Sequence, residues 1–163
     1  MELTRKIVLL GQFGVGKTSL TRRYLLDIFE TDYLPTLGVQ IKKKTVILPS
    51  GKELSMIIWD LEGFNSVSAT RTSYLLGSNA FIYVFDITRP ITYIGISEDL
   101  KYIEKNYPKV HLMVVGNKKD LVEPEYLENT QQLKDIPTDE FVSAKTGDGV
   151  HELFNQLVKK LVP

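Results

Sequence analysis

Four short, uninterrupted apolar runs punctuate the chain: Ile7-Val8-Leu9-Leu10, Met56-Ile57-Ile58-Trp59, Ala80 to Phe85, and Leu112 to Val115. Runs of this length and character read as strands buried on both faces, as in parallel sheets. Each stops at a glycine or a polar residue: Gly11, Asp60, Asp86 and Gly116. Such stops mark the carboxyl ends of strands, where open α/β sheets bind ligands. Between the runs the period changes from continuous to helical. Lys17 to Leu26 carries Leu20, Tyr24 and Leu25; Tyr93 to Tyr107 carries Ile96, Leu100 and Ile103. Val150 to Leu161 repeats Val150, Leu153, Phe154, Leu157, Val158 and Leu161, a 3.6-residue stripe, with Asp148 placed to help cap it. Val39 to Leu48 and Glu53 to Trp59 flank Pro49-Ser50-Gly51-Lys52, a hairpin turn. Strands alternating with helices predict an α/β domain whose mostly parallel sheet has helices on both faces and one antiparallel edge strand from the hairpin. No repeat, low-complexity segment or linker divides residues 1–163, so one domain is expected.

Composition narrows the function classes. The 163 residues hold 20 Lys plus Arg against 20 Asp plus Glu, for zero formal net charge, which argues against a nucleic-acid binder relying on a basic field. With no cysteine, disulfides, thiolate metal sites, cysteine nucleophiles and cysteine-linked lipids are excluded. The second residue is Glu2 rather than the glycine that myristoylation needs. No apolar stretch approaches the roughly 18–20 residues of a membrane span, and the opening residues do not read as a signal peptide. His111 and His151 lie too far apart in the motif map to suggest a metal site. Lys42-Lys43-Lys44 falls on the edge strand, where lysines block edge-to-edge pairing.

The chemistry concentrates at the strand ends. Gly11-Gln12-Phe13-Gly14-Val15-Gly16-Lys17-Thr18 fits G-x-x-x-x-G-K-[ST], after a predicted strand and opening a predicted helix. Glycines let backbone N–H groups converge on a phosphate, and the helix N-terminus favours negative charge. Lys17 supplies a mobile cation and the Thr18 hydroxyl a ligand for Mg²⁺. Asn117-Lys118-Lys119-Asp120, after the strand Leu112–Val115, selects the base. A carboxylate at Asp120 accepts from both N1–H and the exocyclic amine of guanine, whereas adenine presents an acceptor. A site built for such a donor rejects the analogue lacking it by roughly 10⁴-fold. Asn117 and Lys118 would brace this loop.

These motifs make the chain resemble a Ras-superfamily small GTPase, most closely the Rab-type members, from about Arg5 to Leu161. Trp59-Asp60-Leu61-Glu62-Gly63 matches W-D-x-x-G, Thr36 the switch I threonine, and Ser143-Ala144-Lys145 the S-A-K guanine loop. Thr36-Leu37-Gly38-Val39, and Tyr74-Leu75-Leu76-Gly77 followed by Ala80 to Thr88, resemble Rab stretches. The resemblance implies a P-loop G domain with a six-stranded sheet, GTP and GDP as ligands and Mg²⁺ as cofactor. It places Gly11, Phe13, Gly14, Val15, Gly16, Lys17, Thr18 and Ser19 around the phosphates, with Lys17, Thr36 and Gly63 in the catalytic set; Glu62, a departure from the family, is the fourth catalytic candidate. It implies that Phe29 packs on the guanine edge, the Ala144 N–H meets guanine O6, the Lys145 stem stacks on the base, and Ser143 belongs to the same loop. Thr18, Thr36 and Asp60 would serve Mg²⁺, the Gly63 N–H the γ-phosphate, and Tyr33 would close over the phosphates.

Three departures surround one phosphate. Phe64 stands where most members carry the glutamine that orients the attacking water. Phe13 occupies a usually small position and would obstruct an arginine arriving from a partner. Glu62 places a carboxylate at another small position. Three outcomes stay open: slow hydrolysis with relaxed detail, strong impairment under an apolar lid of Phe13 and Phe64, or Glu62 positioning the water. The function expected is a switch whose segments of about Asp27 to Gly38 and Asp60 to Tyr74 are ordered by the γ-phosphate. It either cycles with slow GTP hydrolysis or stays GTP-loaded as a binding module. The expected partners are effectors, exchange factors and GTPase-activating proteins, with no nucleic acid and no lipid anchor in this chain, which is expected to be a monomer. A cytoplasmic location is expected, with membrane contact only through a partner or through a tail removed beyond Pro163.

Overall fold

The computed structural model describes residues 2–26, 38–61, 63 and 67–163. Its sheet has six strands: β1 (Glu2–Leu10), β2 (Val39–Ile47), β3 (Glu53–Leu61), β4 (Ala80–Asp86), β5 (His111–Asn117) and β6 (Glu140–Phe141). They are ordered β2-β3-β1-β4-β5-β6, with only the β2–β3 pair antiparallel. The helices are α1 (Lys17–Leu26), α2 (Thr72–Leu75), α3 (Ile96–Asn106), α4 (Pro124–Asn129), α5 (Gln131–Lys134) and α6 (Val150–Leu161).

The period-2 alternation of each strand builds two cores. Ile7 and Leu9, Ile82 and Val84, Met113 and Val115 face one way, against Leu20 and Tyr24 of α1 and the apolar stripe of α6. Val8 and Leu10, Phe81, Tyr83 and Phe85, and Val114 face the other way, against Ile96 and Ile103 of α3, Val67, Leu75 and Leu133. Helices on both faces are what fully apolar strands require. Tyr24 of α1 and Phe154 of α6 stack with ring centroids 3.8 Å apart, fixing the two helices against each other. Central β1 lies between β3 and β4, so the connections leaving it diverge. The crevice that opens at its carboxyl end is where such sheets bind ligands.

Several sequence expectations change in detail. The third helix begins at Ile96 rather than Tyr93, because Pro90–Thr92 forms a 3-10 turn and Gly95 occupies the N-cap position. Asp148 does not cap α6: Gly149 is its N-cap, without a side-chain hydrogen bond, and Asp148 pairs with Lys119 at 3.1 Å. The basic run on β2 divides as its alternation requires. The Lys44 ammonium lies 5.3 Å from the Tyr24 ring centre on the α1 side, while Lys43 pairs with Glu2 at 3.8 Å. Among the described residues, no helix is long and apolar enough to cross a membrane.

Candidate functional site

The loop between β1 and α1 is shaped by donors that reach it from outside. Asn117 Nδ2 donates to Val15 O at 2.9 Å, and Lys118 Nζ donates to Gly14 O at 2.8 Å. In a trans peptide C=O and N–H point in opposite directions. Drawing these two carbonyls outward therefore turns the Val15 and Gly16 N–H groups into the concavity. Successive inward N–H groups at a helix start form an anion-binding nest. Gly16 must be glycine here. Its φ is +98°, and a Cβ would overlap the Asn117 amide nitrogen. Lys17, 6% exposed, folds back to donate to Gly11 O at 2.9 Å and Gln12 O at 3.0 Å. Burial lowers its pKa to about 8, partly offset by Asp60. A phosphate in the nest would offer this desolvated ammonium a better partner than two neutral carbonyls. Ser19 sits half-buried in the first turn of α1, and Val15 is fully buried.

At one end of the loop the Thr18 hydroxyl donates to Asp60 Oδ2 at 2.5 Å. Asp60, at the end of β3, is 2% exposed, and burial raises its pKa above the carboxylate norm. Its Oδ1 is buried and has no hydrogen-bond partner among the described residues. An orphaned carboxylate oxygen beside a threonine hydroxyl is a donor set suited to a hard cation that takes few protein oxygens and keeps its waters, as Mg²⁺ does. The residues present fit that ion. Gly63 lies directly on the loop: a Cβ there would overlap the Phe13 backbone nitrogen, so only glycine permits this approach. The Phe13 side chain above it is 49% exposed.

At the other end lie residues that the sequence assigns to base recognition. Asn117, 2% exposed, bridges two segments: besides holding Val15 O, its Oδ1 accepts from the Ala144 N–H at 3.1 Å. That N–H, expected to meet guanine O6, is directed to Asn117 in this structure. Ser143 Oγ donates to Asp120 Oδ1 at 2.7 Å, which orients the exposed carboxylate and leaves Oδ2 facing outward from that bond. Lys118 is the only non-glycine residue at positive φ (72°) among those described. The left-handed conformation costs about 1–2 kcal/mol. It lets Asn117 turn inward while Asp120 stays at the mouth, and the Lys118 ammonium is held by Asp86 at 2.7 Å as well as by Gly14 O. Lys145 is exposed beside Ala144.

The structure thus gathers Gly11, Phe13, Gly14, Val15, Gly16, Lys17, Thr18, Ser19, Asp60, Gly63, Asn117, Lys118, Asp120, Ser143, Ala144 and Lys145 along one edge of the sheet. Phe29, Tyr33, Thr36, Glu62 and Phe64 lie outside the described residues. Three residues given no site role from sequence join the site. Asp86, fully buried at the end of β4, binds Lys118. Arg89 Nη1 donates to Phe13 O at 3.1 Å. Arg23 of α1 donates from Nε to Ala144 O at 2.9 Å and from its terminal nitrogen to Lys145 O, tying the phosphate-loop helix to the base loop. The stop of the apolar run at Asp86 was the one signal for the first; nothing local marked the two arginines.

Comparison with known proteins bears on the same residues. The sequence model of the Ras family matches residues 6–162. Ras-related protein Rab-18-B of Danio rerio is 33% identical over 165 aligned residues, covering 98% of this chain and 80% of that protein. Ras-related protein SEC4 of Saccharomyces cerevisiae is 33% identical over 159, covering 94% of this chain and 73% of that protein.

Proposed function

The chain belongs to the Ras family of small GTPases, and on that premise we propose that it is a guanine-nucleotide switch whose 163 residues are one G domain carrying every group the nucleotide needs. The observation that supports this best is the Asn117 bridge. One buried side chain spans the phosphate loop and the base loop, so base and phosphate recognition are set in one rigid frame.

In this reading the loop amides, turned inward by Lys118 and Asn117, bind the phosphates, and Lys17 leaves its two carbonyls for phosphate oxygens. Thr18 and Asp60 hold Mg²⁺, with Thr36 as the third residue of the set. The ion would neutralise charge on the β- and γ-phosphate oxygens. Asp120, steadied by Ser143, reads the guanine edge; Lys145 covers the base, and Phe29 packs against it. Gly63, seated against Phe13, brings the second switch to the γ-phosphate, and Tyr33 closes the site. Effectors would read the switch segments of about 27–38 and 60–74, with exchange and GTPase-activating proteins as further partners. Hydrolysis is slow, because Phe64 cannot orient water and the half-exposed Phe13 ring stands at the entrance. A second reading, a GTP-loaded module that hydrolyses almost nothing, is favoured by that same ring. The nucleotide carried by freshly purified protein separates the two: mostly GDP supports the cycling enzyme, mostly GTP the module.

Asp120→Asn tests the base assignment. Replacing the acceptor by an amide donor should exchange preference for guanine, with its amine, for xanthine, with its carbonyl. A variant that keeps full GDP affinity would remove Asp120 from base recognition.

A further inference from the structure

The turn after β4 grips the phosphate loop from its outer side. Gln12 Nε2 donates to Ile91 O at 2.9 Å, and Arg89 Nη1 donates to Phe13 O at 3.1 Å. The turn is itself locked. The Thr92 hydroxyl accepts from the Asp86 N–H at 2.9 Å and donates to Arg89 O at 2.7 Å. Asp86 Oδ1 accepts from the Thr88 N–H and hydroxyl at 2.8 and 2.6 Å, and the Arg89 N–H donates to Asp86 O at 3.1 Å. The guanidinium stands 3.9 Å from the buried Asp86 carboxylate. It also lies over Gly14, whose Cβ, if present, would be 2.9 Å from Arg89 Nη1.

We propose that Arg89 is a positioning residue for the nucleotide's phosphates, acting through the Phe13–Gly14 peptide. By drawing Phe13 O outward it turns the Gly14 N–H inward, extending the nest that Lys118 and Asn117 form at the next two peptides. Among the described residues, Arg89 is the only donor holding this peptide, and Gly14 (φ 75°) gives it no side-chain restraint. A loop that must not reorganise when phosphate arrives needs this peptide fixed in advance. The inference rests on the guanine-nucleotide reading of the site.

The test compares wild type, Arg89→Ala and Arg89→Lys as full chains. The readouts are release of fluorescent GDP with Mg²⁺ and the ³¹P resonances of bound GDP. Arg89 is 44% exposed at its side chain, so the variants should fold. Arg89→Ala should speed release about 5- to 50-fold and move the β-phosphorus resonance. Arg89→Lys, whose ammonium can reach the same carbonyl, should recover most of both. Wild-type release by Arg89→Ala, or faster release with an unmoved ³¹P spectrum, overturns the inference. A wild type that takes up no GDP overturns the nucleotide reading with it; a wild type that binds GDP beside an indifferent Arg89→Ala overturns this inference alone.

Discussion

Asp99 and Tyr83 share a hydrogen bond of 2.5 Å in the core between β4 and α3, and the other oxygen of the same carboxylate accepts from the Val67 N–H at 2.9 Å. A buried carboxylate thus fastens the 3-10 turn Val67–Ala69, within the 60–74 segment proposed as the second switch, to the helix beneath it. Burial and Asp99 together push the Tyr83 hydroxyl pKa far above its usual value, so Tyr83 stays a donor. Asp99→Ala removes the carboxylate that accepts from both the Val67 N–H and the Tyr83 hydroxyl, at a cost of about 2–4 kcal/mol. Chemical denaturation should show that loss. Val67 amide exchange should quicken with it, and a cycle with Tyr83→Phe should give coupling of about 0.5–3 kcal/mol. Independent, additive effects would contradict the latch.

Asn117→Ala removes the bridge between Val15 O and the Ala144 N–H and leaves both buried groups unpaired. The expected loss is about 2–4 kcal/mol, seen as a drop in melting temperature of about 5–15 °C. GDP affinity should fall by at least about 100-fold. A variant of wild-type stability whose GDP affinity is also unchanged would mean that the two loops are held by other contacts.

Gly63→Ala drives a Cβ into the Phe13 backbone. The close approach cannot survive, so the second switch should separate from the phosphate loop. Single-turnover GTP hydrolysis should fall about 10-fold or more. GDP binding, which uses the loop and not Gly63, should hold within a few fold. Unchanged hydrolysis would show that Gly63 has no part in the reaction.

Phe64→Gln should speed single-turnover hydrolysis about 10-fold or more, by supplying a group that orients water. No acceleration removes the main support for a lid. A rate unchanged in Glu62→Ala removes that carboxylate from water positioning.

Much of this was legible in the sequence because the signals were continuous. Ile7-Val8-Leu9-Leu10 leading into Gly11 to Thr18 gave strand, loop and helix together, and α1 begins at Lys17 as the pattern required. The stripe of α6 was equally clear. The two-residue β6, the four-residue α2 and α5 and the six-residue α4 were not, since none is long enough to show a period. Asn117 and Asp120 were identifiable by spacing, but the Asn117 bridge to Ala144 depends on two residues 27 positions apart coming together. Arg23 and Arg89 were invisible for a related reason: an arginine's partner here is a backbone carbonyl, which carries no sequence signature.

Thr18 and Asp60 make metal dependence checkable. EDTA should accelerate GDP release from wild type by about 10-fold or more. Asp60→Ala should already release fast and respond little. An equal response from both would place the cation elsewhere.

The most direct test of a guanine-nucleotide switch is the affinity of nucleotide-free wild-type protein for GDP and ADP, titrated side by side with Mg²⁺. Submicromolar GDP binding is expected, with ADP weaker by about 10⁴-fold. Equal affinities, or no binding of either, would contradict it.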